Sequence, residues 1–88
     1  MEFDWAARTR ITSPAMASWL RESEEAYRNG PMVIEHQRRK HERRRLCLGE
    51  TSKGRLLTFV VTERKGKIRF VTAFPMHPRQ REIYREEE

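Results

Sequence analysis

Hydrophobic residues recur with a helical period in the first third of the chain. The apolar positions share one stripe: Met16, Trp19, Leu20 and Tyr27, with Ser23 between them. Ser13 and Pro14 suit the start of such a helix, and Asn29 with Gly30 can end it in a left-handed cap. The pattern predicts one amphipathic helix over residues 14–28, with Trp19 and Leu20 as its most buried side chains.

From Met32 onward the pattern changes to the alternation of apolar and polar residues that is typical of β-strands. Residues 32–35 are expected as a short strand or an extended link, and residues 36–41 as a solvated basic connector. Three alternating stretches follow, which predict an antiparallel meander over residues 44–74 with Gly66 in its last tight connection. Pro78 can then open a charged C-terminal helix over residues 78–87.

Alternation within the meander divides its residues between two faces of the sheet. The set expected beneath the helix is Leu46, Leu48, Leu57, Phe59, Val61, Ile68, Phe70 and Phe74. The set expected on the other face is Arg45, Cys47, Thr58, Val60, Thr62, Arg69, Val71 and Ala73. Arg69 stands out because an arginine within a strand is costly unless it is exposed or paired. Either a bound anion or a salt bridge, to Glu63 or to a carboxylate of the last helix, would explain it.

The length and the elements together define the expected architecture. Eighty-eight residues suffice for one modest core, which predicts a single domain over residues 1–88. Phe3 and Trp5 stand at strand spacing, so residues 1–5 are a possible edge strand. The expected fold class is α+β, with an N-terminal amphipathic helix packed on a three- to four-stranded antiparallel sheet and with a C-terminal helix.

The charge of the chain indicates which ligands it attracts. The formal net charge is +6, which favours nucleic acid or an acidic protein as the partner. In the basic run HQRRKHERRR, residues 36–45, we expect Arg38, Arg39, Lys40 and Arg45 to attract nucleic acid electrostatically. A solubilising loop that binds no ligand is the alternative interpretation of this run.

Cysteine and histidine usage indicates neither a metal site nor a secreted protein. His36 and His41 are five residues apart, which places them on opposite faces of a strand and about 140° apart on a helix. Cys47 is the only cysteine, so no internal disulfide can form, and no base motif accompanies it. Because no apolar stretch has the length of a membrane span and no signal-peptide layout is present, we expect a cytoplasmic protein without metal or cofactor.

Two stretches resemble a known family. GRLLTFVVTERKGKIRFVTA at residues 54–73, followed by a helix with R..Y, together with the opening EFDW, resembles the BrnT family of toxins from bacterial type II toxin–antitoxin systems, within the RelE/ParE superfamily. The likeness covers the first five residues and most of the chain from Glu42 onward. It is weak from Ala6 to His41, where the family's usual lysine-histidine-glycine element is missing.

The resemblance implies a RelE-like fold and an endoribonuclease that cuts RNA without a metal. A cognate antitoxin would neutralise it, in a complex that can be a higher oligomer. The residues that match family positions are Arg55, Glu63, Arg64, Arg69, Arg81 and Tyr84. Phe74 stands where the family generally has arginine, Gln80 where glutamate is common, and His77 at a usual threonine position.

Metal-free RNA cleavage needs a base for the 2′-hydroxyl, an acid for the leaving 5′-oxygen and cations for the phosphorane. Arg69 and Arg81 are expected to hold the scissile phosphate, because guanidinium groups bind phosphate oxygens in pairs. The candidates for proton transfer are Tyr84, His77 and Glu63. Arg55 and Arg64 are expected to contact nucleic acid.

Each of these residues also has a purely structural interpretation. Tyr84 can pack the last helix, His77 can be a loop residue, and Glu63 can form a salt bridge at the end of a hairpin. Two other classes of function therefore stay open beside the ribonuclease. One is a nucleic-acid-binding module without catalysis, and the other is a protein that binds only an acidic partner such as an antitoxin.

Overall fold

The described part of the chain folds into one five-stranded sheet and two helices. The computed structural model describes residues 2–3, 14–39, 42–64 and 66–86. The elements follow in the order β1 (Glu2–Phe3), α1 (Pro14–Arg28), β2 (Met32–Arg39), β3 (Glu42–Glu50), β4 (Leu56–Arg64), β5 (Lys67–Pro75) and α2 (Pro78–Glu86).

The order of strands across the sheet is β1-β5-β4-β3-β2. Strands β2 to β5 are antiparallel neighbours, whereas the two-residue β1 pairs parallel to β5 at the edge. This arrangement confirms the expected α+β class, with a helix, four antiparallel strands and a C-terminal helix. Trp5 of the expected edge strand lies outside the described residues.

Helix α1 has the bounds that its sequence pattern predicts. Its end is capped as expected: Asn29 N–H donates to Glu25 O at 3.0 Å, and Gly30 adopts a φ of 96°. Its buried residues are Met16, Leu20, Ser23, Ala26 and Tyr27. The prediction for Trp19 is wrong, because this residue lies at the border of the buried stripe and is only partly buried. Ser13, the expected cap, lies outside the described residues.

Three aromatic rings form the centre of the core between α1 and the sheet. Phe59 and Phe70 are both inaccessible to solvent, and their ring centroids lie 5.7 Å apart in an edge-to-face arrangement. The ring of Tyr27 on α1 lies 6.2 Å from Phe70 and 6.3 Å from Phe59. These contacts join the helix to β4 and β5, since offset and edge-to-face pairs are the favoured ring geometries.

The face of β3 beneath α1 differs from the prediction. The register pairs Cys47 with Phe59 and Gly49 with Leu57, so Cys47 and Gly49 lie on the helix side while Leu46 and Leu48 lie on the other. Alternation alone was ambiguous here because both sets include apolar residues. The helix packs over Gly49, where an added Cβ would lie 3.0 Å from Ala26 Cβ and 3.0 Å from the Phe59 ring.

A β-bulge explains the second error in the predicted faces. Val60 pairs with Thr72 and Val61 pairs with Phe70, so β5 contains one extra residue at Val71. The alternation therefore shifts by one position beyond the bulge. As a result Ala73 joins the helix side, whereas Phe74 lies on the opposite face and is only partly buried.

Strand β2 replaces most of the expected basic connector. Residues 36–39 pair with β3 in a continuous register from His36 opposite Arg45 to Arg39 opposite Glu42. The connector interpretation fails because a run of arginines can form a strand when its neighbour supplies the backbone hydrogen bonds. Lys40 and His41 lie outside the described residues. Among the helices that the structure describes, none is long and apolar enough to cross a membrane.

Ser23 provides a test of the core beneath α1. Its side chain is fully buried, and its Oγ has no hydrogen-bond partner among the residues that the structure describes. A buried hydroxyl without a partner is unfavourable, and alanine has the higher helix propensity. We expect Ser23→Ala to stabilise the protein by about 1 kcal/mol, which corresponds to a rise in Tm of about 4–8 °C.

Thermal unfolding followed by circular dichroism measures this change. The matched control is Ser18→Ala, which alters an exposed serine of the same helix and changes only the helix propensity. Equal shifts in the two variants would show that the Ser23 hydroxyl carries no penalty.

Candidate functional site

A cavity lined by three arginines lies where α2 leaves the sheet. Its volume is about 330 Å³, and its lining residues are Gly54, Arg55, Leu56, Leu57, Pro75, Arg81 and Arg85. We call it the arginine cavity. A smaller cavity of about 210 Å³ shares Gly54, Leu56 and Arg85 with it and adds Glu50 and Tyr84. Guanidinium groups, a phenol and a carboxylate therefore surround one region at this end of the sheet.

The start of α2 is fixed by a single side chain. Gln80 Oε1 accepts a hydrogen bond from the backbone N–H of His77 at 2.9 Å and another from Thr58 Oγ1 at 2.7 Å. The first bond satisfies a free N–H group at the helix start, as the glutamine of a capping box does, and the second attaches α2 to β4. Arg81 and Arg85 are four residues apart on this helix, so they lie on one face of it.

The opposite wall of the arginine cavity is the tight turn between β3 and β4. Gly54 N–H donates to Thr51 O at 2.9 Å, and Gly54 adopts a φ of 84° that favours glycine. The hydroxyl of Thr51, which is buried, accepts the N–H of Arg55 at 3.1 Å. The turn therefore presents the backbone of residues 54–55 in a fixed conformation beside α2.

Helix α1 holds this turn from the other side. Glu22 Oε1 lies 3.1 Å from Nε of Arg55, Glu25 Oε1 accepts the N–H of Ser52, and Asn29 Nδ2 donates to Glu50 O at 3.2 Å. The core helix thus positions one wall of the cavity. Arg55 already has a carboxylate partner, whereas Arg81 and Arg85 have none within the part of the chain that the structure describes.

The Glu25 contact makes a prediction about pH. The hydrogen bond from the Ser52 N–H holds the pKa of Glu25 below its usual value of 4.5. A depressed pKa adds stability above the unfolded-state pKa, and this stability is lost as the pH falls through the folded-state value. We expect Glu25→Gln to lower the free energy of unfolding at pH 7 but to change it little at pH 3.

Urea unfolding at the two pH values measures the effect. Glu35→Gln, on the exposed edge of β2, is the control for the loss of one negative charge. If Glu25→Gln destabilises the protein equally at both pH values, the carboxylate does not stabilise the turn through its charge.

Arg69 lies far from the arginine cavity. It pairs with Thr62 in the sheet, whereas the cavity lies near the pair Leu57 and Pro75. Five to six residues along a strand separate the two pairs by roughly 17 to 20 Å. The sheet therefore does not bring Arg69 and Arg81 together in the way that the sequence-based hypothesis requires.

The Arg69 side chain is 7% exposed, and its Nε has no hydrogen-bond partner among the described residues. It lies on the face opposite α1, as expected. Thr62 pairs with Arg69 on one side and with Arg44 of β3 on the other, so the two arginines share one face of the sheet. The Nε of Arg44 binds Glu42 Oε2 at 2.9 Å. A salt bridge from Arg69 to Glu63, one of the alternatives that the sequence left open, is excluded because Glu63 lies on the other face of the sheet, opposite Ile68.

The other predicted catalytic residues divide between the two ends of the sheet. His77 precedes α2, and Tyr84 lines the smaller cavity beside Arg85, so both lie near Arg81. Glu63 is exposed near the β4–β5 connection, at the other end. Of the five predicted residues, Arg81 lines the arginine cavity, Tyr84 lines the smaller cavity, and His77 lies just before α2. Arg85 and Glu50 are additions that the sequence analysis did not identify. The four-residue spacing of Arg81 and Arg85 was the signal for the first of these.

The residues predicted to attract RNA have several different surroundings. Arg38 is exposed on β2, and Arg39 and Arg64 belong to β2 and β4. Arg45 was expected on the open face, which is wrong: it lies on the α1 side, where its Nη2 donates to Tyr27 Oη at 3.2 Å. Its position follows from the β3 register that also places Cys47 beneath α1.

Neither a thiol nor a metal centre is indicated in the described residues. Burial of Cys47 raises its pKa to about 11, so the thiolate that a nucleophile requires is scarce at neutral pH. No group of three or more potential metal ligands occurs in the described part of the chain.

Comparison of the chain with protein-family models, with curated proteins and with solved structures gave no match in any of the three.

Proposed function

We propose that this protein is a metal-independent endoribonuclease of the toxin type, with its scissile phosphate in the arginine cavity. The observation that carries this proposal is that Arg55, Arg81 and Arg85 line one cavity, and that the last two have no carboxylate partner in the described chain. Three guanidinium groups around a space of about 330 Å³ provide a binding site for a phosphate diester.

The residues around the cavity can supply each part of the reaction. The 2′-oxygen of the RNA attacks the phosphorus and loses its proton to a base, for which Glu50 and His77 are the candidates. Arg81 and Arg85 stabilise the charge of the phosphorane. Tyr84 can protonate the leaving 5′-oxygen, so the products are a 2′,3′-cyclic phosphate and a 5′-hydroxyl.

The resemblance to the BrnT family supports a catalytic site at the same end of the molecule. Arg81 and Tyr84 match family positions; Arg81 lines the arginine cavity, and Tyr84 lines the smaller cavity next to it. The order of a helix, an antiparallel sheet and a C-terminal helix supports a RelE-like fold. The proposal assigns the scissile phosphate to Arg81 and Arg85, and it leaves Arg69, expected from the sequence to share this role, outside the cavity.

A cognate antitoxin that neutralises the enzyme is part of this proposal. The net charge of +6 favours an acidic partner, and an antitoxin that covers α2 would exclude RNA from the arginine cavity. RNA and antitoxin would then compete for the same molecule. Simultaneous saturable binding of both would contradict this part of the proposal.

A second candidate is a nucleic-acid-binding module without catalysis. Phe74 at the family's arginine position, and the separation of Arg69 from Arg81, both favour it. Such a protein would bind RNA through the same cationic groups and release it uncut.

Incubation of the purified protein with a short unstructured RNA distinguishes these functions. Cleavage that persists with excess EDTA and leaves a 2′,3′-cyclic phosphate is the expected result. Binding without cleavage would support the second candidate. Cleavage that EDTA abolishes would exclude the proposed mechanism, because it would require a metal that this mechanism does not use.

A further inference from the structure

Strand β2 ends the sheet, and its outer edge is open in the described part of the chain. The strand order places β3 on one side of β2 and none of the described strands on the other. Val33 is 37% exposed, and Glu35, His36 and Arg38 are exposed as well. A strand edge of this kind presents a row of backbone N–H and C=O groups to which another extended chain can pair.

The charges beside this edge are not balanced within the hairpin. The register places Arg38 opposite Arg43 and His36 opposite Arg45 on the face that α1 also occupies. Of these two pairs, Arg38 and Arg43 are like charges directly opposite each other, an arrangement that destabilises a sheet. Neither Arg38 nor Arg43 has a carboxylate within ion-pair distance among the described residues. Anionic side chains added next to β2 would therefore relieve a repulsion that the hairpin contains by itself.

We propose that β2 binds an extended acidic segment of a partner protein as a sixth strand of the sheet. The backbone of the segment would pair with the open edge, and carboxylates at every second residue would face His36, Arg38 and Arg43. The bulge at Ile34 interrupts the regular ladder, so pairing is centred on residues 35–39. This inference does not depend on RNA cleavage; if the proposed function holds, the partner is the antitoxin.

The charges and the backbone groups of this edge argue against two other binding partners, which are a second copy of the chain and RNA. A second copy of the chain, paired antiparallel at β2, would bring no carboxylate to the face that carries Arg38, because Glu35 of β2 lies on the opposite face with Leu46. RNA can bind the arginines but cannot continue the ladder of backbone hydrogen bonds. An acidic extended chain can both neutralise the arginines and form hydrogen bonds with the backbone groups. A neutral strand would leave the repulsion between the arginines in place, so the edge favours an acidic strand over a neutral one.

Two synthetic peptides of ten residues test the proposal. The first alternates glutamate with valine, and the second has the same glutamates with proline in place of each valine. Proline fixes φ near −65° and favours a polyproline II helix, so the second peptide keeps the charge but is held away from the β-strand conformation that pairing requires. Binding is measured by fluorescence anisotropy at fixed salt, and amide hydrogen exchange of residues 32–39 is followed with and without peptide.

The expected result is saturable binding of the valine peptide alone, with slower exchange in β2. Arg38→Glu should weaken this binding about tenfold, because it replaces an attraction by a repulsion. The matched control is Arg21→Glu, which makes the same charge change at an exposed site on α1. Circular dichroism verifies that both variants fold.

Several results would overturn the proposal. Equal binding of the two peptides would show that only general charge attraction acts. An equal effect of Arg38→Glu and Arg21→Glu would place the peptide elsewhere. Absence of peptide binding, together with Arg38-dependent binding of a ten-nucleotide RNA, would assign the edge to RNA. Loss of RNA cleavage is a separate measurement, so failure of the proposed function and failure of this inference can be distinguished.

Discussion

Phe59→Ala is expected to lower the free energy of unfolding by about 3 to 5 kcal/mol, a large fraction of the roughly 5 to 15 kcal/mol that is typical of native proteins. Phe59 is inaccessible to solvent and contacts the rings of both Phe70 and Tyr27. Its removal leaves a cavity between α1 and the sheet, and surrounding residues can fill such a cavity only in part.

Phe74→Ala is the matched control, because simple alternation places both phenylalanines on the same face. In the structure the bulge at Val71 moves Phe74 to the opposite face, where it is only partly buried. We expect its removal to cost less than half as much as that of Phe59, as measured by urea unfolding at pH 7. Equal costs would contradict the face assignment and the bulge.

The elements that the sequence predicts well are those with an unambiguous period. Helix α1 begins at Pro14 and ends at Arg28, because its apolar stripe and its glycine cap agree. The meander and the turn at Gly66 were predicted for a similar reason, since the alternating runs are separated by a residue that tolerates a positive φ. Local patterns were sufficient wherever two independent signals coincided.

The faces of the sheet could not be predicted because they depend on contacts between elements. A single extra residue at Val71 reverses the alternation after it, and nothing in the local pattern marks that position. In β3 both faces carry apolar residues, and the close approach of Ala26 to Gly49 decides between them. The second half of β2, residues 36–39, was missed because its charges resemble those of a solvated loop.

The sequence analysis identified only the part of the candidate site that lies on one element, because the rest depends on contacts between elements. His77, Arg81 and Tyr84 are near each other in sequence, so one helix and the residue that precedes it are enough to bring them together. The sequence analysis placed Arg69 in the same site as these residues. Whether they meet depends on which end of β5 lies beside α2, and Arg69 lies near the start of β5 whereas the arginine cavity lies near its end. The contribution of Glu50 and Arg55 likewise depends on a turn that packs against the helix only in the folded protein.

Arg81→Ala is expected to lower the RNA cleavage rate by about 100-fold or more, the usual effect of removing one donor that stabilises transition-state charge. RNA affinity should fall only a few-fold, because other cations continue to attract the polyanion. Single-turnover cleavage of one RNA at fixed salt gives the rate, and binding to a 2′-deoxy analogue of that RNA, which cannot react, gives the affinity.

Arg79→Ala is the control for this variant, because Arg79 is exposed on the same helix and does not line the arginine cavity. It removes the same charge, so it should change affinity slightly and leave the cleavage rate nearly unaltered. Arg69→Lys, 17 to 20 Å away by the strand estimate, should also retain most of the rate if it folds normally. A larger loss of rate in Arg69→Lys than in Arg81→Ala would move the scissile phosphate to the sheet face, and equal losses in Arg79→Ala and Arg81→Ala would leave the arginine cavity without a catalytic role.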